Sequence, residues 1–294
     1  MLLVALLAVG PTSAEDTSAT FRAACVKVDI TPDTPQWLLG YGKRKSTGVL
    51  DRIYHRIVAM DDGANQFYLV SSDVAVVSCA YHDQVARELQ LATGIKPERF
   101  WWSATHTHAA PHIGPLYLPG VFADTLGDRL SFEPDKEYWK FVRDALIQGV
   151  QDARAQLEPA RLGIGVGESY ANINRRGTNA KGESVLGEDP DGPVDRQVGL
   201  IRLERPDGSL IALIANYAIH GTVLGGNNTL ISGDVPGIIS EYVENQLGAP
   251  MLFINGAEGN IAPIYSVRDK FASKYVEDFY TLLGNRIVST NDAI

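Results

Sequence analysis

Val198-Gly199-Leu200-Ile201-Arg202-Leu203 and Leu210-Ile211-Ala212-Leu213-Ile214-Ala215-Asn216-Tyr217-Ala218 flank Pro206-Asp207-Gly208, and the second run leads straight into Ile219-His220-Gly221-Thr222. Asp-Gly between two β-rich runs is a strong hairpin signal. The second run is apolar along most of its length and delivers His220 to a Gly-rich turn, Gly225-Gly226-Asn227-Asn228. A polar residue at the end of such a strand is held by a rigid element while opening onto a loop.

The same grammar extends outward. Ile53 to Met60 and Phe67 to Ser71 flank Asp61-Asp62-Gly63, a second hairpin, and Cys25 to Ile30 precedes it as a strand. His82 to Ala92 reads as a helix with Gly94 as its C′ residue. Phe100 to Ala104 reads as a short buried strand, and Tyr138 to Leu157 is a helix, with Phe141, Ala145, Ile147 and Val150 near helical spacing. Leu162 to Val166 is a strand, whereas the polar stretch from Asn172 to Pro193 interrupts the pattern. Pro236 to Leu247 is a helix with Asp234 as N-cap and Gly248 as stop, Met251 to Ile254 a strand, and Asp269 to Val288 a last amphipathic helix. Between Pro111 and Pro134 lies a connection long enough to suggest a binding loop or lid. Strands alternating with helices predict an α/β or α+β fold, a mixed β-sheet core with helices, in one large domain over residues 15–294. The chain stops just beyond its last helix without a polar tail, so a longer protein truncated at the C-terminus is expected.

Net charge of −9 argues against nucleic-acid binding, which needs Lys and Arg to replace counterions. Leu2 to Val9 followed by Thr12-Ser13-Ala14 reads as a signal peptide over residues 1–14, so a secreted or periplasmic protein is expected; the run is too short to span a bilayer. Cys25 and Cys79 fit no zinc or redox spacing and read as two buried thiols, with a disulfide as the alternative. There is no G-x-S-x-G elbow and no phosphate-binding glycine loop.

Four motifs carry chemistry. In Thr105-His106-Thr107-His108, side chains two apart on an extended segment share a face, so both imidazoles serve one pocket, as two zinc ligands or as one ligand and one proton-transfer group. Pro111-His112 adds another imidazole nearby. His220 is the second ligand candidate, and its ligating nitrogen is expected within about 4 Å of that of His106. In Asn172-Ile173-Asn174-Arg175-Arg176, a guanidinium can hold an oxyanion or carbonyl oxygen. In Ser232-Gly233-Asp234, the carboxylate suits a helix N-cap and also suits orienting a ligand imidazole.

In this order, with Asp29-Ile30-Thr31-Pro32 and Leu39-Gly40-Tyr41-Gly42 ahead of them, these pieces resemble the neutral/alkaline non-lysosomal ceramidase family, over about Val26 to Gly284. The resemblance implies a zinc (Zn2+) site with His106 and His220 as metal ligands, His108 and Arg175 as catalytic residues, and a Glu and a Tyr supplied from beyond Ile294. It implies zinc-dependent hydrolysis of an N-acyl amide, a small-molecule or lipid substrate of sphingolipid type, and peripheral membrane contact. Two stretches depart from the family pattern. Gly259-Asn260-Ile261-Ala262-Pro263 stands where the family has Gly-Asp-Val-Ser-Pro, so Ala262 replaces a serine implicated in catalysis, and Ala109-Ala110-Pro111 stands for Ser-Gly-Pro. Both changes bear on ceramide as the substrate rather than on the metal-centred chemistry that the resemblance implies. The alternatives are a related metallohydrolase acting on a different amide or ester, and a catalytically degenerate lipid-binding homologue.

Overall fold

The computed structural model describes residues 21–115, 135–264, 266 and 277–294. The first sheet is built from β1 (Arg22–Asp29), β2 (Tyr54–Asp61), β3 (Gln66–Ser72) and β4 (Phe100–Ala104), in the order β4-β3-β2-β1, with the two-residue strand Glu158–Pro159 completing the β1 edge. The β2–β3 hairpin closes at Asp61↔Gln66, with Gly63 in the left-handed region the turn requires. Helix α1 (Cys79–Thr93) returns the chain so that β4 pairs parallel with β3, and α2 (Lys136–Ala155) follows. Ser78 caps α1 and left-handed Gly94 ends it, while Asp135 caps α2.

The second sheet contains β5 (Arg161–Glu168), β8 (Gln197–Glu204), β9 (Leu210–Tyr217) and β10 (Met251–Asn255), in the order β10-β9-β8-β5. Strands β8 and β9 form the hairpin expected around Asp207-Gly208, and β9 pairs parallel with β10 after the crossover through α3 (Asp234–Leu247). Strands β6 (Asn172–Thr178), β7 (Ser184–Asp189) and β11 (Ile261–Pro263) make a third, smaller sheet, and α4 (Asn285–Asn291) ends the described chain.

Alternation along the strands sorts the side chains into layers. Ile57 and Ala59 of β2 pack with Val142, Leu146 and Val150 of α2, while Val58 between them packs with Ala212, Ile214 and Leu252 of the second sheet. Leu213, Ala215 and Tyr217 of β9 face Ile239 and Val243 of α3 and Ile287 of α4. The two sheets therefore stack face to face between two helical layers. Strands buried on both faces read as near-continuous apolar runs, which is why Leu210–Ala215 lacks polar alternation. Each fully buried Leu or Ile contributes about 1.5–3 kcal/mol. Arg56 is also fully buried; it donates from Nη1 to Asp73 at 2.8 Å and from Nε to Glu244 at 2.6 Å, pinning α3 to the first sheet.

Four expectations change. Asn172–Pro193 is not an interruption: it forms the β6–β7 hairpin, because Asn172 and Asn174 point inward and their amides donate to the carbonyls of Asp195, Ala218 and Pro193. Gly233, not Asp234, occupies the N-cap of α3. Cys79 is exposed at the start of α1 and Cys25 is half-buried, so the two are neither a disulfide nor a pair of buried thiols. The terminal helix runs past its expected end at Val288: among the described residues its backbone is helical over 278–291, and its Phe279 and Leu283 are covered by the α3 core, whereas its expected start at Asp269 lies outside the described residues. The signal-peptide stretch and most of the long loop after Pro111 lie outside the described residues. Among the described residues no helix is long and apolar enough to cross a membrane.

Candidate metal centre

The carboxyl ends of the parallel strands β4, β9 and β10 open on the same region, the position at which open α/β sheets place ligands. His106 lies two residues past β4, His220 three past β9, and Glu258 three past β10. The backbone at His106 is left-handed, φ 64°, a conformation that strains a non-glycine residue. It is held there because His106 N–H donates to Val74 O at 3.0 Å and the next residue, Thr107, bridges in parallel to Gly221. His108 N–H then donates to Gly221 O at 2.8 Å. A side chain at Gly221 would meet the backbone of His106 and Thr107 at 2.7 Å, so only glycine lets the two histidine-bearing segments approach this closely.

The result is a triangle of imidazoles. His106 Nε2 lies 3.0 Å from His220 Nε2 and 3.1 Å from His108 Nε2. The opposite nitrogens of two rings are engaged by carbonyls: His106 Nδ1 with Ala75 O at 2.6 Å, and His220 Nδ1 with Glu258 O at 3.0 Å. A carbonyl only accepts, so those Nδ1 atoms carry the protons and the Nε2 lone pairs of the neutral rings face one another. Burial holds all three rings neutral. It pushes His108 down to about 2, helped by its imidazole neighbours, Arg175 and Arg44, and pushes His220 down to about 4, while His106 falls in the same direction. Zinc with bonds of about 2.0–2.1 Å spaces tetrahedral nitrogen ligands roughly 3.3–3.4 Å apart, so the His106–His220 pair at 3.0 Å fits the ion, and His108 completes a donor set whose atoms lie within 4.8 Å of one another. Each Nδ1–H···O=C contact is the support that fixes the tautomer of a ligating histidine.

Around the triangle, Tyr41 packs its ring edge-on to His108 with centroids 5.0 Å apart, and Gly40 lies directly against that imidazole. Arg175, half-buried on β6, donates to Gly259 O from Nη2 at 3.0 Å, while Arg176 is more exposed. Glu258 was not anticipated. Its Oε1 lies 3.8 Å from His106 Nδ1, and burial raises its carboxyl to about 8 against the opposing pull of Arg175. The sequence signal was available: Glu258 follows an apolar strand into a glycine-bearing turn, as His220 does. His112 is not part of the cluster; its ring packs edge-on to Trp139 at 5.1 Å. Asp234 orients no imidazole, because its carboxylate accepts from the backbone N–H groups of Val223, Leu224 and Val235.

An α/β scaffold presenting converging imidazole nitrogens at its strand ends defines a candidate metal centre. The sequence matches the family described as neutral/alkaline non-lysosomal ceramidase, N-terminal, over residues 21–264, and the chain belongs to that family. It is 27% identical to a neutral ceramidase of Pseudomonas aeruginosa over 279 residues, covering 90% of this chain and 40% of that protein. It is 28% identical to neutral ceramidase A of Dictyostelium discoideum over 225 residues, covering 70% of this chain and 30% of that protein. The crystal structure of the Pseudomonas aeruginosa neutral ceramidase shares the fold, with a TM-score of 0.73 at 24% identity over 94% of this chain and 45% of that one. The chain thus spans less than half the length of these relatives.

Proposed function

We propose that this chain contributes the metal centre of a zinc-dependent hydrolase acting on N-acyl amide bonds, of ceramidase type. The observation that carries the reading is the pair of Nε2 lone pairs of His106 and His220 facing each other at 3.0 Å while their Nδ1 atoms are occupied by carbonyls. No proton is available to satisfy that contact, so it calls for a cation. Bound there, zinc supplies Lewis-acid polarisation of the scissile carbonyl and acidifies water.

His106 and His220 hold the ion. Arg175, anchored on Gly259, offers its remaining guanidinium donors to an oxygen gaining negative charge. His108 stands beside the ion as the candidate to pass a proton from attacking water to the leaving amine, a role that its burial opposes, since a ring pushed down to about 2 is a weak base. A second role is favoured by its 3.1 Å approach to His106: three imidazoles are also a complete ligand set for catalytic zinc. His108→Gln separates these roles, since a proton-transfer residue leaves metal affinity intact while turnover falls, and a ligand takes both down.

Elemental analysis of the full-length protein, with hydrolysis of ceramides and of soluble acyl amides before and after chelation, tests the main reading. Metal-free protein with undiminished turnover refutes it. N-terminal sequencing of the mature protein tests export, with cleavage after Ala14 expected.

A further inference from the structure

The two histidine-bearing segments come from different sheets: His106 follows β4 of the first and His220 follows β9 of the second. Nothing in either strand ladder fixes their separation, so the ties between the segments must. On the C-terminal side that tie is the close approach of Gly221 to Thr107. On the N-terminal side it is a single side chain. Asn255, the last residue of β10, donates from Nδ2 to Thr105 O at 3.0 Å and to Ile219 O at 2.8 Å, and its Oδ1 accepts from Ile219 N–H at 3.1 Å. Thr105 and Ile219 immediately precede His106 and His220.

We infer that Asn255 is the positioning residue that sets the distance between the two ligand-bearing segments and thereby the affinity and geometry of the metal centre. The inference rests on the metal-centre reading above. Both amide protons and the amide oxygen are committed, and each engages the backbone one residue before a ligand. Asparagine is the residue this junction needs. Asp has no protons for the two carbonyls and would set a charged oxygen against them, and Leu has neither function. Gln keeps both functions on an arm one methylene longer. Its β10 position also explains why a third strand end belongs to a site whose imidazoles come from two others: β10 carries the clamp, and Glu258 three residues on closes His220 Nδ1 with its carbonyl.

The test uses the full-length protein, with Zn2+ titrated by calorimetry at fixed pH and Co2+ loaded as a spectroscopic probe of ligand geometry. Asn255→Ala should bind Zn2+ about 10–100-fold more weakly and show an altered Co2+ absorption spectrum, the range expected when support to a ligand is removed. Asn216→Ala is the control: Asn216 lies on β9 and donates to Ile254 O at 2.9 Å, so it loses a sheet hydrogen bond without touching either ligand segment. It should lower thermal stability while leaving the parent's affinity and spectrum unchanged. Should Asn255→Ala fail to fold, Asn255→Gln carries the test, because the lengthened amide should still change the spectrum. Parental affinity and spectrum in the folded Asn255 variant overturn this inference alone. A parent that binds neither ion overturns the metal-centre reading and this inference with it.

Discussion

His55 and His220 are both buried, and in both burial pushes the imidazole down to about 4. Their nitrogens are treated differently. His55, in the core between β2 and α2, has Nδ1 at 2.5 Å from Ser72 Oγ and Nε2 donating to Val142 O at 3.0 Å, and Ser72 Oγ in turn accepts from Trp102 Nε1. Every polar atom of that triad has a partner of the right kind. His220 has one nitrogen satisfied by Glu258 O and the other aimed at a second imidazole that also lacks a proton there. Burial and titration are shared by a structural histidine and a ligand candidate, and what separates them is the count of complementary partners at each nitrogen.

Replacement of one histidine from each region breaks the comparison most sharply. His106→Ala should weaken zinc binding about 100-fold or more and abolish hydrolysis, at a cost of only about 1 kcal/mol in the stability of the metal-free protein, because the lost bond to Ala75 O is accompanied by relief of the facing lone pairs. His55→Ala should leave zinc affinity intact but cost about 2–5 kcal/mol in stability, from the cavity and the stranded Ser72 and Val142 groups. Calorimetric titration and chemical unfolding of both variants read this crossing. If His55→Ala weakened the metal and His106→Ala did not, the partner-counting argument would be wrong.

Gly40→Ala reaches the same centre without altering a ligand candidate. Its φ is +109°, and an added Cβ would lie 2.3 Å from Cγ of His108. The backbone strain should cost about 1–2 kcal/mol. Displacement of His108 should lower zinc affinity about tenfold or more if His108 is a ligand, and turnover alone if it only moves protons. Unchanged affinity and turnover would mean that His108 has room to move freely in its pocket.

Much of this arrangement was legible in the sequence because the strands that carry it are apolar and end abruptly in histidine. Leu210–Tyr217 into His220 and Phe100–Ala104 into His106 needed no tertiary information. The alternation argument that put His106 and His108 in one pocket reached the right pairing for a different reason, since the segment is not extended at His106: a left-handed turn folds it, and the parallel bridge to Gly221 aims the rings. What was illegible depended on partners remote in sequence. Asn172 and Asn174 look like loop residues until the carbonyls they satisfy are in view. Glu258 and Asn255 carry no motif of their own, and their roles exist only because β10 lies beside β9.

Acidification is a subtler way to read the two regions. A histidine whose folded pKa lies below its ordinary 6.5 stays neutral while the unfolded chain takes up a proton. The unfolded state then binds more protons, so stability is fully present above about 6.5 and is lost as pH falls toward about 4, by roughly 1.4 kcal/mol per pH unit for each such group. Glu258, raised to about 8, and Asp51, raised to about 7, act in the opposite sense over this range, so in chelator the pH 7 to pH 5 difference of the parent is compared with that of His55→Ala, and the parent should lose more on acidification. Added zinc should raise stability at pH 7, because it binds the folded state. The zinc increment should vanish in His106→Ala, while the His55 contribution to the pH dependence persists. An equal pH 7 to pH 5 difference in the metal-free parent and in metal-free His55→Ala would contradict the neutral state assigned to His55.

The smallest effect is expected at Ala262, where the family pattern has serine. Ala262 is 1% exposed on β11 and pairs with Ile173 of β6, two residues from Arg175. Were serine chemistry required, its absence would leave no nucleophile at this position and the chain could only bind. If water is the nucleophile, no acyl-enzyme forms, and the position affects packing and access beside Arg175. Ala262→Ser then adds a hydroxyl in a buried place. It should cost about 1 kcal/mol if the hydroxyl finds no partner and less if it reaches a β6 carbonyl. Turnover should shift by less than about tenfold, the range expected of a neighbour that perturbs the barrier by under about 1.4 kcal/mol. Steady-state rates on ceramides and soluble acyl amides, with intact-mass spectra of the wild-type protein during turnover, decide the matter. A covalent acyl adduct on the wild type, or activity present only after the serine is restored, would show that the histidine triangle does not by itself define the chemistry of this chain.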